Sequence, residues 1–419
     1  MMDFLQIKKE AELALAPLFQ NIDRIAEENT AKILTAFREH HVSYTHFGAT
    51  DGYGYDDIGR DTLEKIWADV FGAEAALVRT SILSGTHALA LGLFGLLRPG
   101  DVMLSVTGRP YDTLNEVIGL TGEAGNGSLK DFGVDYAEVP MVDGKPDMES
   151  IEKALLELGD KVKVVFIQRS KGYQDRISLS TKEIGEMIAR IRPLTRGFIV
   201  VDNCYGEFVC ENEPTALGAD LCIGSLIKNP GGGMAETGGY LVGTKKAVDL
   251  CANRYAAPGI GAEVGASMGQ NKSLYKGLFY APHTVAQALK TAHFAAYVFS
   301  KMGYATNPGW QDQRADIIQA IYCKSAEGLI AFCRGIQHGS PVDAYLTCEP
   351  WDMPGYNDPV IMAAGAFTQG SSVELSADGP VRPPYIAYMQ GGLTYESGKF
   401  AVMSAAEEMA NANNETSKE

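Results

Sequence analysis

Apolar positions fall near helical spacing from residue 5 to 40, at Leu13, Leu15, Leu18, Phe19, Ile22, Ile25, Ile33, Leu34 and Phe37. The pattern predicts an N-terminal helical arm. Pro17 should break or kink it early, because proline lacks an N–H and crowds the preceding turn. Phe47-Gly-Ala-Thr-Asp-Gly-Tyr-Gly-Tyr55 is dense in turn formers and reads as a loop. From residue 62 onward, helix-spaced segments alternate with short apolar runs. Helices are expected at Thr62–Phe71, from a Ser84 cap to Leu97, and at Asp112–Leu120, Met148–Leu158 and Lys182–Ile191. Strands are expected at Ala75–Arg79, Asp101–Val106, Val134–Val139, Val162–Gln168, Phe198–Asp202, Leu221–Ser225 and Tyr240–Val242. This alternation predicts an α/β fold with a mostly parallel central sheet wrapped on both faces.

After about residue 285 the pattern changes. Helical stretches are expected at His283–Met302 and Asp312–Ala331, and strand-like runs at Tyr345–Cys348 and Val360–Ala364. The expected division is an arm over 1–45, a large α/β domain over 46–289 and a smaller C-terminal α+β domain over 290–419. Asn411–Glu419 reads as a frayed polar tail.

Composition narrows the function classes. A chain of 419 residues, 46% hydrophobic and 21% charged, is an ordinary globular protein with room for two domains. A net charge of −16 argues against nucleic acid or an anionic membrane as the main partner, so any phosphate site must be local. The first residues carry no signal-like apolar core, and no run approaches a membrane span. Seven cysteines, an odd number without C-x-x-C spacing, indicate neither a zinc cage nor a disulfide framework, and a reducing cytoplasm fits best. The histidines are scattered, with His40, His41 and His46 not at ligand spacing, and no catalytic metal is expected.

The candidate chemistry centres on Ser225-Leu-Ile-Lys228-Asn-Pro-Gly-Gly-Gly, which begins at the end of an expected strand. A lysine there, beside glycines that let backbone approach a bulky group, is placed to form a Schiff base once its amine is free of its proton. Four other features point the same way. Ser84-Gly85-Thr86 opens a helix, whose N-terminal N–H groups suit a phosphate. Asp202 ends an apolar strand, where a carboxylate could hold the protonated nitrogen of a pyridine ring. Ser225 adds a hydroxyl, and Tyr111 offers a ring to stack on the cofactor. Each has an ordinary alternative: a loop lysine, a plain N-cap, a capping or metal-binding aspartate, a turn serine, a half-buried aromatic. The order of the parts favours pyridoxal 5′-phosphate.

On these residues the chain resembles the fold-type I pyridoxal-phosphate enzymes, with a mostly parallel central sheet and a smaller C-terminal domain. The resemblance is greatest to the methionine gamma-lyase-like family, also labelled aluminium-resistance or carbon–sulfur lyase proteins, relatives of the cystathionine beta- and gamma-lyases. It is carried by His46–Glu64, Arg79–Ala88, Gln168–Tyr173, Val201–Phe208, Ser225–Gly239 and Glu374–Pro384. The resemblance implies Lys228 as cofactor attachment and proton shuttle and Asp202 at the ring nitrogen. It implies Gly85, Thr86 and Ser225 at the phosphate, Tyr111 over the ring, and Gln168 and Ser170 near the cofactor O3′ or the imine. Arg382 is the candidate clamp for the substrate carboxylate. The resemblance also implies a homodimer or homotetramer with shared sites, in which Tyr53, Tyr55 or Arg60 reaches the neighbouring cavity. Two departures stand out. Ile227 precedes Lys228 where relatives carry threonine, and the spacing of Tyr53, Tyr55 and Arg60 does not match their Tyr-Ser-Arg motif.

The expected activity is elimination at Cβ or Cγ of a cystathionine-, cysteine- or methionine-like amino acid. Other pyridoxal chemistry, such as aminotransfer or racemisation, and a non-catalytic cofactor-binding role in stress are the alternatives. A nicotinamide dehydrogenase is disfavoured, because Gly259-Ile-Gly261-Ala-Glu-Val-Gly265 misses the dinucleotide fingerprint and comes too late in the chain.

Overall fold

A computed structural model of the protein describes residues 3–353 and 358–416. The chain begins with α1 (Phe4–Glu39) and α2 (Ile58–Phe71), then β1 (Ala75–Arg79), α3 (Gly85–Leu96), β2 (Val102–Ser105), α4 (Asp112–Ile118) and β3 (Asp135–Glu138). A small hairpin of β4 (Met141–Val142) and β5 (Lys145–Pro146) precedes α5 (Met148–Leu158), β6 (Val162–Gln168), α6 (Thr181–Ile191), β7 (Phe198–Asp202), β8 (Leu221–Ser225) and β9 (Gly239–Gly243). Next come α7 (Lys245–Tyr255), α8 (Asn271–Lys301), β10 (Thr306–Asn307), β11 (Gln319–Tyr322), α9 (Ala326–His338), β12 (Val360–Ala363), β13 (Ser376–Pro380), β14 (Ile386–Gln390) and α10 (Tyr395–Thr416).

The larger sheet has the order β1-β9-β8-β7-β6-β2-β3. Strands β8, β7, β6, β2 and β3 run parallel, and β9 lies antiparallel to both β1 and β8. The parallel strands are apolar and buried through their centres, as a sheet covered on both faces requires. Two apolar clusters cover its faces: one includes Leu63, Trp67 and Leu278, the other Leu89, Leu93 and Val248. A second, antiparallel sheet, β10-β11-β14-β13-β12, packs with α9 and α10 around a third cluster that includes Phe332, Ala377 and Met389. Among the described residues no helix is long and apolar enough to cross a membrane.

Four expectations need correction. α1 runs unbroken through Pro17. Burial of Ala11 and Leu15 before the proline and of Ile22 and Ile33 after it holds the helix on both sides. The expected helix over Asp312–Ala331 is instead β11 followed by α9, divided where Lys324 takes φ +68° and Ser325 accepts the Gly328 N–H as an N-cap. Tyr345–Cys348 is not a strand, and Tyr345 and Leu346 are exposed. The tail expected from residue 411 continues α10 as far as Thr416, and residues 417–419 lie outside the described residues.

Candidate active site

The carboxyl ends of the parallel strands open into a cavity of about 380 Å³. Ser84, Gly85, Thr86, Tyr111, Gln168, Ser170, Asp202, Ser225 and Lys228 all line it. They converge because β6, β7 and β8 end side by side, with Gln168 directly paired to Asp202. A ligand at this edge of a parallel sheet follows the general rule for such folds.

Opposite the strand ends, α3 begins. Ser84 accepts the His87 N–H at 3.1 Å, which leaves the first N–H groups of the helix, at Gly85 and Thr86, without partners inside the helix. A Cβ at Gly85 would lie 3.5 Å from Cys204 Sγ and 3.6 Å from Ser225 Cβ, so glycine keeps the space between the helix start and the strand end open. Ser225 Oγ is buried with no hydrogen-bond partner among the described residues. Thr86 and Thr113 share a hydrogen bond of 2.8 Å.

Lys228 is buried, and its Nζ lies 3.5 Å from the centre of the Tyr205 ring. Tyr205 adopts φ +69°, a left-handed conformation that is strained for an aromatic residue, and it presents its ring to the amine. Asp202 accepts the Cys204 N–H at 3.1 Å. Burial raises the Asp202 carboxyl above its ordinary range, opposed first by Lys228. Burial also opposes the Lys228 ammonium, but Cys204, Tyr205 and Asp202 outweigh it and hold the amine above the ordinary lysine range. Burial likewise pushes the Cys204 thiol and the Tyr205 phenol up. The free amine that Schiff-base chemistry needs is therefore not pre-formed here.

Other lining side chains also brace one another. The Gln168 carboxamide accepts the Tyr111 N–H at 2.6 Å and donates to Ser170 O at 3.0 Å, fixing the start of α4. Ser170 donates to Cys204 O at 2.9 Å. Tyr111 packs so closely on Gly172 that a Cβ there would lie 2.8 Å from its ring. The glycines after Lys228 face away from the cavity. A Cβ at Gly231 would clash with Leu226 O at 1.7 Å, and one at Gly232 would meet Gly277 O of α8 at 2.3 Å. They are needed for packing against α8, not for approach to a cofactor.

The remaining candidates lie elsewhere. Tyr53 and Tyr55, 73% and 60% exposed, line a separate concavity formed by residues 49–55 and Met268. Arg60 is buried and donates to Gly54 O at 2.7 Å and Gly265 O at 2.9 Å, tying that loop down. Arg382 is half-exposed, pairs with Asp358 at 2.6 Å and does not line the cavity. Asp378, Tyr205, Tyr388 and Gln390 do line it, yet none was singled out from the sequence.

The model of the family described as methionine gamma-lyase matches residues 4–410. The chain belongs to the methionine gamma-lyase family. Among relatives of this family member, the uncharacterized protein YnbB of Bacillus subtilis strain 168 is 53% identical over 402 residues, 96% of this chain and 95% of YnbB. The crystal structure of a carbon–sulfur lyase involved in aluminum resistance from Clostridium novyi NT superposes with a TM-score of 0.92 at 48% identity, covering 96% of this chain and 94% of that one. A pyridoxal-5′-phosphate dependent protein, YhfS of Escherichia coli, shares the fold at a TM-score of 0.61 and 16% identity, over 92% and 96% of the two chains. The fold is thus that of the fold-type I enzymes, with a mostly parallel central sheet.

The residues present fit the family's cofactor. The unpartnered Ser225 Oγ, the open helix start at Gly85, the buried Asp202 and the buried Lys228 amine match its phosphate, ring nitrogen and aldehyde in turn.

Proposed function

We propose that the protein is a pyridoxal-phosphate-dependent carbon–sulfur lyase acting on a sulfur-containing amino acid. The observation that carries this reading is the juxtaposition of Lys228, Asp202 and the unpartnered Ser225 at the ends of two adjacent strands, facing the start of α3. Bound pyridoxal phosphate supplies an electron sink for negative charge at the substrate Cα. Lys228 would hold the cofactor and, as a free amine, would take the proton at the substrate Cα. Asp202 would keep the ring nitrogen protonated, Gly85, Thr86 and Ser225 would bind the phosphate, and Tyr111 would cover the ring. Gln168 and Ser170 hold the wall beside the imine. The C–S bond breaks with its electron pair leaving as thiolate, and water converts the released enamine to ammonia and an oxo acid.

The purified protein should be yellow, with a violet absorption band that borohydride abolishes and Lys228→Ala removes. Cystathionine, cysteine and methionine should be assayed for free thiol and oxo acid. Product that appears only when an oxo-acid acceptor is added would replace elimination by aminotransfer.

The same reading makes the active unit a cytoplasmic homodimer or homotetramer with shared sites. The exposed Tyr53 and Tyr55 support the sharing, and the seven free cysteines support a reducing compartment. Mixing Tyr55→Phe and Lys228→Ala subunits should recover activity above either variant alone; no recovery would remove Tyr55 from the shared site.

A further inference from the structure

Asp202, Asp378 and Lys228 are the charged side chains that line the cavity among the described residues. The proposed chemistry uses Asp202 and Lys228 and leaves Asp378 without a task. Asp378 sits in the middle of β13, paired with Met362 on β12 and Tyr388 on β14, so the antiparallel sheet delivers it to the cavity. It is buried, and its carboxyl accepts a hydrogen bond from Tyr173. The Tyr173 and Tyr388 rings lie 5.1 Å apart beside it, and the Tyr388 hydroxyl donates to Tyr173 O at 3.0 Å.

Burial raises the Asp378 carboxyl to about 6, opposed by the Tyr173 bond and by Lys228, so it carries its charge at neutral pH and above. A buried carboxylate is costly unless a cation faces it. Lys228 is the cation that acts on it, and a ligand ammonium brought against Asp378 would hold the carboxyl ionised in the same way. A buried carboxyl beside two aromatic rings is a wall that accepts an ammonium and rejects a second carboxylate.

We propose that Asp378 is a specificity-determining residue that receives an ammonium group on the substituent borne by the substrate sulfur, so that the enzyme prefers sulfur amino acids with a cationic distal arm. This rests on the lyase reading above.

Three cysteine thioethers of similar size provide the test: S-(2-aminoethyl)-L-cysteine, S-propyl-L-cysteine and S-carboxymethyl-L-cysteine. Thiol release by the holoenzyme gives kcat/KM for each. Calorimetry on Lys228→Ala protein reconstituted with pyridoxal phosphate gives dissociation constants where turnover is blocked. The aminoethyl compound should exceed the propyl compound at least tenfold in both measurements, with the carboxymethyl compound weakest. Asp378→Asn should bring the aminoethyl-to-propyl ratio near one while the violet band persists, and Asp378→Glu should restore the preference. A ratio near one in the wild-type enzyme, or a ratio that Asp378→Asn leaves unchanged, overturns the assignment. A wild-type protein with no violet band overturns the lyase reading and this inference together. A band with a flat profile across the three compounds removes only the role of Asp378.

Discussion

Glu207 offers a stability test that does not depend on turnover. Its side chain is wholly buried behind Gly224, where a glycine Cβ would come within 2.7 Å of its Oε1. The Tyr240 hydroxyl donates to Oε1 at 2.7 Å, and Oε2 has no partner among the described residues. Burial pushes this carboxyl up to about 8, with the neighbouring Glu213 adding to the rise and the Tyr240 bond opposing it. The folded state therefore keeps a proton that the unfolded chain releases near the ordinary value of 4.5. Between those two values the folded state binds more protons, so stability is greatest below about 4.5 and falls as pH rises. The slope is about 1.4 kcal/mol per pH unit, or about 5 kcal/mol over the window, a large part of a typical total of about 5–15 kcal/mol. Glu207→Gln keeps an oxygen for Tyr240 and removes the titration. Urea unfolding of cofactor-free wild type and variant at pH 5, 6 and 7 isolates the effect, because all other titrating groups are common to both. The variant's stability relative to wild type should rise by about 1.4 kcal/mol for each pH unit. A constant offset across the three pH values would show that Glu207 is ionised in the fold and refute the reasoning.

Three further outcomes follow from the site. Gly85→Ala should fold normally, because the new methyl makes only ordinary contacts at 3.5 and 3.6 Å, yet it occupies the cradle at the start of α3. Its unfolding midpoint should match wild type while pyridoxal phosphate binds at least about tenfold more weakly by fluorescence titration; unchanged affinity would move the phosphate elsewhere. Lys228 is held as an ammonium, so cofactor loading requires loss of that proton. Its rate, followed by growth of the violet band, should climb about tenfold per pH unit from about pH 7 to 9, and a flat profile would mean that the amine is already free. Arg382→Ala breaks an exposed ion pair with Asp358, so it should cost at most about 1 kcal/mol and leave kcat/KM within about threefold; a loss of about a hundredfold would show that the guanidinium leaves Asp358 for the substrate.

The sheet that carries the reactive groups was legible because parallel strands buried on both faces are continuous apolar runs. Val162–Gln168, Phe198–Asp202 and Leu221–Ser225 fall at their expected boundaries. Asp202, Ser225 and Lys228 could be placed together for the same reason, since each lies at or just beyond the end of such a run. The antiparallel sheet was less legible. β13 is Ser-Ala-Asp-Gly-Pro, which includes three residues that strands usually avoid. It is a strand because β12 and β14 pair with it on both sides, a tertiary cause that no local pattern records. Asp378 was missed for that reason, although it lies inside the stretch Glu374–Pro384 that carries the family resemblance. The motif was visible, but the direction in which its carboxylate points was not.

That contrast separates the two halves of the cavity. The strand ends of the parallel sheet supply Lys228, Asp202 and Ser225, the parts proposed to hold a cofactor and make a carbanion, and these suit any reaction at an amino-acid Cα. The antiparallel sheet supplies Asp378, Tyr388 and Gln390, which cannot perform that chemistry but do decide which side chain lies against them. A departure such as Ile227 beside the lysine belongs to this second problem as well, because Ile227 also lines the cavity and presents an apolar surface there. Exchanging residues on the antiparallel wall should therefore move substrate preference while the violet band and its pH dependence stay with the parallel sheet. The reverse result, an Asp378 variant that loses the cofactor, would join the two halves into one functional unit and make specificity inseparable from cofactor binding.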